Sequence, residues 1–88
     1  KFEMNGTSSV TGNTASGNTA DQGNGGGVYV YSGTFEMNYS ASVKGNTATN
    51  TGSTTNTTYG GGVYVNTGSQ FNMNGSSKVT NNTDAACM

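Results

Sequence analysis

Short runs of alternating apolar and polar residues, separated by Gly, Asn, Ser and Thr, recur along this chain. Val28-Tyr29-Val30 puts two valines on one face and a tyrosine on the other. Phe35-Glu36-Met37 puts Phe35 and Met37 together and Glu36 opposite. Alternation with a period of two marks half-buried strands. The β-branched and aromatic residues favour that state, and no stretch has helical spacing.

These runs repeat. Phe2-Glu3-Met4-Asn5 returns as Phe35-Glu36-Met37-Asn38 and as Phe71-Asn72-Met73-Asn74, at intervals of 33 and 36 residues. Gly25-Gly26-Gly27-Val28-Tyr29-Val30 returns 35 residues later as Gly60-Gly61-Gly62-Val63-Tyr64-Val65. A third element is Val10-Thr11-Gly12-Asn13, then Val43-Lys44-Gly45-Asn46, then Val79-Thr80-Asn81-Asn82. From each Phe to the Asn that ends this element is eleven residues. Self-similarity at such a period signals a stacked architecture in which no unit buries its apolar face alone.

One unit therefore reads as three strands: V-Y-V, F-x-M and a Val-centred strand ending in Asn. Stacked units lie about 4.7–4.9 Å apart, the ordinary strand separation. Phe2, Phe35 and Phe71 then form one interior column, Met4, Met37 and Met73 a second, and Val10, Val43 and Val79 a third. Asn5, Asn38 and Asn74 form one polar ladder, and Asn13, Asn46 and Asn82 another. An Asn at a bend bonds its own backbone and the amide above it. The Gly triplets make the tight corner before V-Y-V, since glycine tolerates positive φ and close backbone approach. A phosphate-cradling role needs a helix to follow, and a strand follows instead. Ser16 to Asn24 and Thr49 to Tyr59 differ in length and read as surface loops.

Composition narrows the class. With 88 residues the chain holds one domain at most. Hydrophobic residues make up 30%, against about 45–50% in ordinary domains when Gly is included. Such a composition suits disorder, but disorder usually comes with net charge. Here three basic residues face four acidic ones, and the polar residues keep strict register. A net charge of −1 gives no electrostatic footprint for nucleic acid. No apolar run approaches the ~20 residues of a membrane helix, so no membrane insertion by this segment is expected. The chain opens on Lys1, which reads as a mature product, a proteolytic piece or an expressed segment. Its one cysteine, Cys87, cannot make an intrachain disulfide. It is either an incidental thiol or a contact between neighbouring copies.

Gly26-Gly27-Val28 and Gly61-Gly62-Val63, taken with the F-x-x-N runs, resemble the repeat of chlamydial polymorphic outer-membrane proteins. The fuller string G-G-G-V-Y-V, G-T-F-x-M-N and V-x-G-N-T-A is similar to the repeats of adhesin-like proteins of gut bacteria and archaea. The resemblance covers nearly the whole chain. It implies a right-handed parallel β-helix exported to a cell surface, serving adhesion or surface display.

The expected fold is thus all-β: a right-handed, single-stranded parallel β-helix with about three strands per turn and two to three turns. One segment spans 1–88, with repeat units near 1–24, 25–59 and 60–88. No cofactor or metal is expected. V-Y-V occurs twice and the other two strands three times, so the first turn lacks a strand. Both ends expose apolar columns and strand edges, which invite pairing with another chain. The expectation is an extracellular or cell-surface structural element built by head-to-tail stacking of copies, Asp84 to Met88 filling the neighbour's missing strand. The alternative is a fragment of a long adhesin-like β-helix that binds a cell-surface ligand.

Three other roles compete. Glu3 and Glu36 fall on successive units, where a close carboxylate pair suits acid–base work or Ca²⁺. Asn72 breaks that column, and a solvated face is the simpler reading, so no enzyme is expected. Ice binding needs a repeated Thr-x-Thr on one face, which the three strands do not show. Asn5, Asn38, Asn56, Asn74 and Asn81 head acceptor patterns for glycosylation, of which Asn56 lies in a loop.

Overall fold

The computed structural model describes residues 1–19, 22–52 and 58–86. Among these, eleven strands and no helix occur. They are β1 (Phe2–Met4), β2 (Ser9–Thr11), β3 (Thr14–Gly17), β4 (Val28–Val30), β5 (Thr34–Met37), β6 (Ser42–Lys44), β7 (Thr47–Asn50), β8 (Val63–Val65), β9 (Gln70–Met73), β10 (Lys78–Thr80) and β11 (Thr83–Ala86).

All pairing is parallel and between strands about one repeat apart. Four sheets result, ordered β1-β5-β9, β10-β6-β2, β11-β7-β3 and β4-β8. No sheet takes more than one strand per layer: β1–β4 form the first layer, β5–β8 the second and β9–β11 the third, where the two-stranded β4-β8 sheet has no described member. This architecture fits a parallel β-helix-like arrangement. The shortest dimension of the molecule is 12 Å, against 39 and 26 Å for the other two, which suits three strands stacked at about 4.8 Å.

The first two layers each have four strands where three were expected, and the third has three. The additional strand, β3, β7 or β11, follows the Val strand. Its middle-layer copy is Thr47-Ala48-Thr49-Asn50, with Ala48 and Asn50 turned inward and fully buried. Alanine is small enough to sit against the core without producing an apolar alternation, so the backbone ladder defines this strand. The loops therefore begin after Gly17 and Asn50 rather than at Ser16 and Thr49.

A second correction concerns the C-terminal segment. Thr83–Ala86 pairs with Thr47–Asn50 of the same chain, so Asp84 to Ala86 is already committed and is not free to fill a gap elsewhere. Cys87, Met88 and Asn56 lie outside the described residues.

Glycine sets the corner before each V-Y-V strand. Gly25 and Gly60 both take φ of +67°. A Cβ on Gly26 would stand 2.3 Å from the Gly61 carbonyl oxygen, and one on Gly61 would stand 2.3 Å from that of Thr83. Only glycine lets the backbones approach this closely. A further corner needs positive φ at Gly6, Tyr39 and Gly75, with values of 64°, 58° and 63°. Tyr39 makes it without glycine's freedom.

The core lies between the sheets. Phe35, Met37, Ala41 and Val43 are buried there with Met4 and Val30, and Val10, Val28, Val63, Phe71 and Val79 pack against them.

Candidate functional site

The chemistry of this molecule is concentrated in columns that run through the layers and end at two open faces. Register places Phe2 on Phe35 and Phe35 on Phe71. Their rings stack with centroids 5.0 and 4.9 Å apart and planes within 8° and 7° of parallel. Met4, Met37 and Met73 share a second column, and Val10, Val43 and Val79 a third. The middle-layer members of these columns are sealed, Phe35 and Met37 at 0% exposed, whereas Phe2 and Met73 are each 46% exposed and Met4 stays buried at 4%.

Both asparagine sets form hydrogen-bonded ladders, and the two run in opposite senses. In the first, Asn74 Nδ2 donates to Asn38 Oδ1 at 2.9 Å, and Asn38 Nδ2 donates to Asn5 Oδ1 at 2.9 Å. In the second, the backbone N–H and Nδ2 of Asn13 both donate to Asn46 Oδ1, at 2.9 and 3.1 Å. Asn46 treats Asn82 in the same way, at 2.9 and 3.1 Å. Asn46 Nδ2 also reaches the carbonyl oxygens of Val10 and Lys44. Asn46 is fully buried, and its amide is well matched to the backbone groups it meets, which is what allows a polar side chain to lie in a core.

Glu3 and Glu36 are direct neighbours across β1 and β5. Lys1 Nζ lies 3.5 Å from Glu3 and 3.6 Å from Glu36. Asn5 and Asn38 each donate an amide hydrogen to the Glu two residues earlier. The Asn5 hydrogen bond, followed by one shared with Glu36 and by the charge of Lys1, holds the Glu3 carboxyl below its usual range. The pair is thus tied into an ion pair and the start of a ladder. Among the described residues no group of three or more His, Cys, Asp or Glu is assembled that would hold a metal ion.

Several features escaped the sequence reading. Asn50, assigned to a loop, is a buried anchor whose Nδ2 donates to the Thr19 carbonyl at 2.6 Å. Its Oδ1 accepts from the Gly52 N–H at 3.0 Å. The outer face of the additional sheet carries Thr14, Thr47 and Thr83 in one column, beside Ser16, Thr49 and Ala85. Thr-x-Thr is complete there only in the middle layer. The tyrosines also form a row, with ring centroids 6.1 Å apart for Tyr59–Tyr64, 4.7 Å for Tyr29–Tyr64 and 6.3 Å for Tyr29–Tyr31. Their signal in the sequence was the outward position of V-Y-V.

Two grooves border these features. One, lined in part by Phe2, Tyr29, Tyr31 and Phe35, opens beside β4. The other follows Asn5, Asn38 and Asn74, with Glu3 and Tyr39. Comparison with protein-family models, with curated proteins and with solved structures finds no match to this chain.

Proposed function

We propose that this chain is a length of right-handed parallel β-helix whose work is structural: an extracellular or cell-surface filament element that stacks head to tail on copies of itself and performs no catalysis. The observation that carries this reading is the contrast in burial along single columns. Phe35 is 0% exposed between two neighbours, and Phe2, with one, is 46% exposed. At Phe2 and Met73 the outer layers present apolar surface that Phe35 and Met37 bury, and removing such surface from water drives association.

The columns also support one direction of stacking. With the third layer of one copy under the first of the next, Phe71 meets Phe2, Met73 meets Met4 and Val79 meets Val10. Asn5 Nδ2 has a second hydrogen for Asn74 Oδ1, repeating the bond that Asn38 makes to Asn5. Asn82 continues to Asn13 of the next copy as Asn46 continues to Asn82. Asn72 falls against Glu3, which keeps three carboxylates from lying in succession. Turning one copy end over end would set donor against donor. A heterologous contact that does not close makes an open fibre.

The test is light scattering with electron microscopy on the purified chain, over a range of concentrations in acid and neutral buffer. Fibres with an axial repeat near 14 Å, about three strand spacings, are the expected result. A monodisperse folded monomer under all these conditions overturns the proposal.

A second reading, a stretch of a longer adhesin-like β-helix, is favoured by the tyrosine row. Tyr29, Tyr31 and Tyr59 are exposed, and exposed aromatic groups of this kind are characteristic of binding surfaces. Covalent layers would then cover the two faces, and the tyrosines would meet a cell-surface ligand. The mass of the native chain separates the two readings.

A further inference from the structure

The Phe, Met and Val columns keep one chemistry through all three layers, but the column formed by Ala15, Ala48 and Asp84 does not. Pairing of β3, β7 and β11 sets these residues in register. Ala48 is fully buried, and residues paired in register share a face of the sheet. Asp84 therefore brings a carboxyl to an inward-facing position on the third layer. Thr58, which is itself buried, donates its hydroxyl to Asp84 Oδ1.

No charge offsets this carboxyl among the described residues. Its pairing partner β7 offers Thr47, Ala48, Thr49 and Asn50. Next to Thr58 the titratable group is Tyr59, whose ring packs on Tyr64. In β10, Val79 packs on the core, so Lys78 and Thr80 point the other way. A second copy docking on this layer would bring β3, Thr14-Ala15-Ser16-Gly17, which has no ionisable side chain. Burial already pushes the Asp84 carboxyl up.

We infer that Asp84 is a charge gate on the stacking face: ionised, it opposes docking of a second copy, and once protonated it permits it. The inference rests on the head-to-tail reading above. Docking sets Ala15 of the arriving copy over Asp84 and strips water from a carboxylate that has one hydroxyl donor and no cation. Such a buried, unpaired charge is strongly unfavourable, and uptake of one proton from solvent removes it. Inward-pointing charge is a known way of keeping sheet edges apart. The sign follows from linkage. The docked state holds the proton more tightly than the free one, so association strengthens as pH falls toward the free carboxyl's range.

The experiment is sedimentation velocity across acid and neutral pH on the wild type, Asp84→Ala and Asp84→Asn, with circular dichroism to follow folding. For the wild type the association constant should rise by up to about tenfold per pH unit on acidification, the limit for uptake of one proton. Asp84→Ala completes the alanine column and should assemble at neutral pH, at concentrations where the wild type stays monomeric, with a flat pH profile. Asp84→Asn keeps an oxygen for Thr58 and should behave likewise, which covers an alanine variant that does not fold. Folded Asp84 variants that assemble with the wild-type pH dependence, or a wild type that assembles independently of pH, overturn the gate and leave stacking intact. Folded wild type and Asp84 variants that stay monomeric at every pH overturn the stacking reading and the gate with it.

Discussion

The middle layer and the two outer layers are built from nearly the same residues and reach different physical states. Phe35, Met37, Val43 and Asn46 are all fully buried. Of their counterparts, Phe2, Met73 and Asn13 are exposed, Phe71, Val10, Val79 and Asn82 are half-buried, and Met4 alone stays buried. Residue type does not explain this, because the members of each column are identical. The difference is the number of neighbours, two for the middle layer and one for each outer layer. Burial in a stacked architecture is thus a property of the interface between repeats more than of the repeat, and stability follows nearest-neighbour terms.

Matched substitutions sharpen that contrast, read by chemical denaturation at dilutions where the chain is monomeric. Phe35→Ala removes a sealed ring stacked on both faces and should cost about 3–5 kcal/mol. Phe2→Ala removes a half-exposed ring stacked on one face and should cost about 1 kcal/mol, a fraction of the burial value for a core side chain. Equal losses would show that stacking does not set burial.

The ladders give the next largest effect. Asn46→Ala leaves the Asn13 and Val10 backbone groups without partners in the core, at about 2–3 kcal/mol. Asn38→Ala breaks the ladder on the outer side, where water replaces the lost bonds, at about 0.5–1 kcal/mol. Denaturation midpoints of the two variants would test the order, and a larger loss for Asn38→Ala would reverse the account of which ladder holds the layers.

The smallest effect is a gain. Tyr39 occupies the corner that Gly6 and Gly75 fill in the flanking layers, at φ of 58°. Left-handed backbone costs a non-glycine residue about 1–2 kcal/mol, and glycine in the unfolded chain returns part of this. Tyr39→Gly should therefore raise stability by up to about 1 kcal/mol, seen as a higher midpoint. A loss would mean that the exposed Tyr39 ring makes contacts outweighing the strain.

Much of this arrangement was legible in the amino-acid order. The recurrence of Phe-x-Met-Asn fixed which residues meet, because parallel pairing in register brings equivalent positions together and like side chains stack well. The ladder of Asn13, Asn46 and Asn82 followed from the constant distance to each Phe. The additional strand was not legible: its inward residues Ala15, Ala48 and Asp84 share no apolar character, and Asn50 looks like any other loop asparagine until its bonds to the Thr19 carbonyl and the Gly52 N–H are seen.

The sequence by itself thus determined the all-β class, the spacing of the repeats and the membership of the columns, since these depend only on identities recurring at fixed separations. Tertiary structure alone decided which copy of each residue is buried, that each layer has a further strand, and that Asp84 faces inward beneath Ala48. Those outcomes depend on what lies above and below a residue, and a carboxylate in an alanine column cannot be recognised until the backbone ladder has put it there.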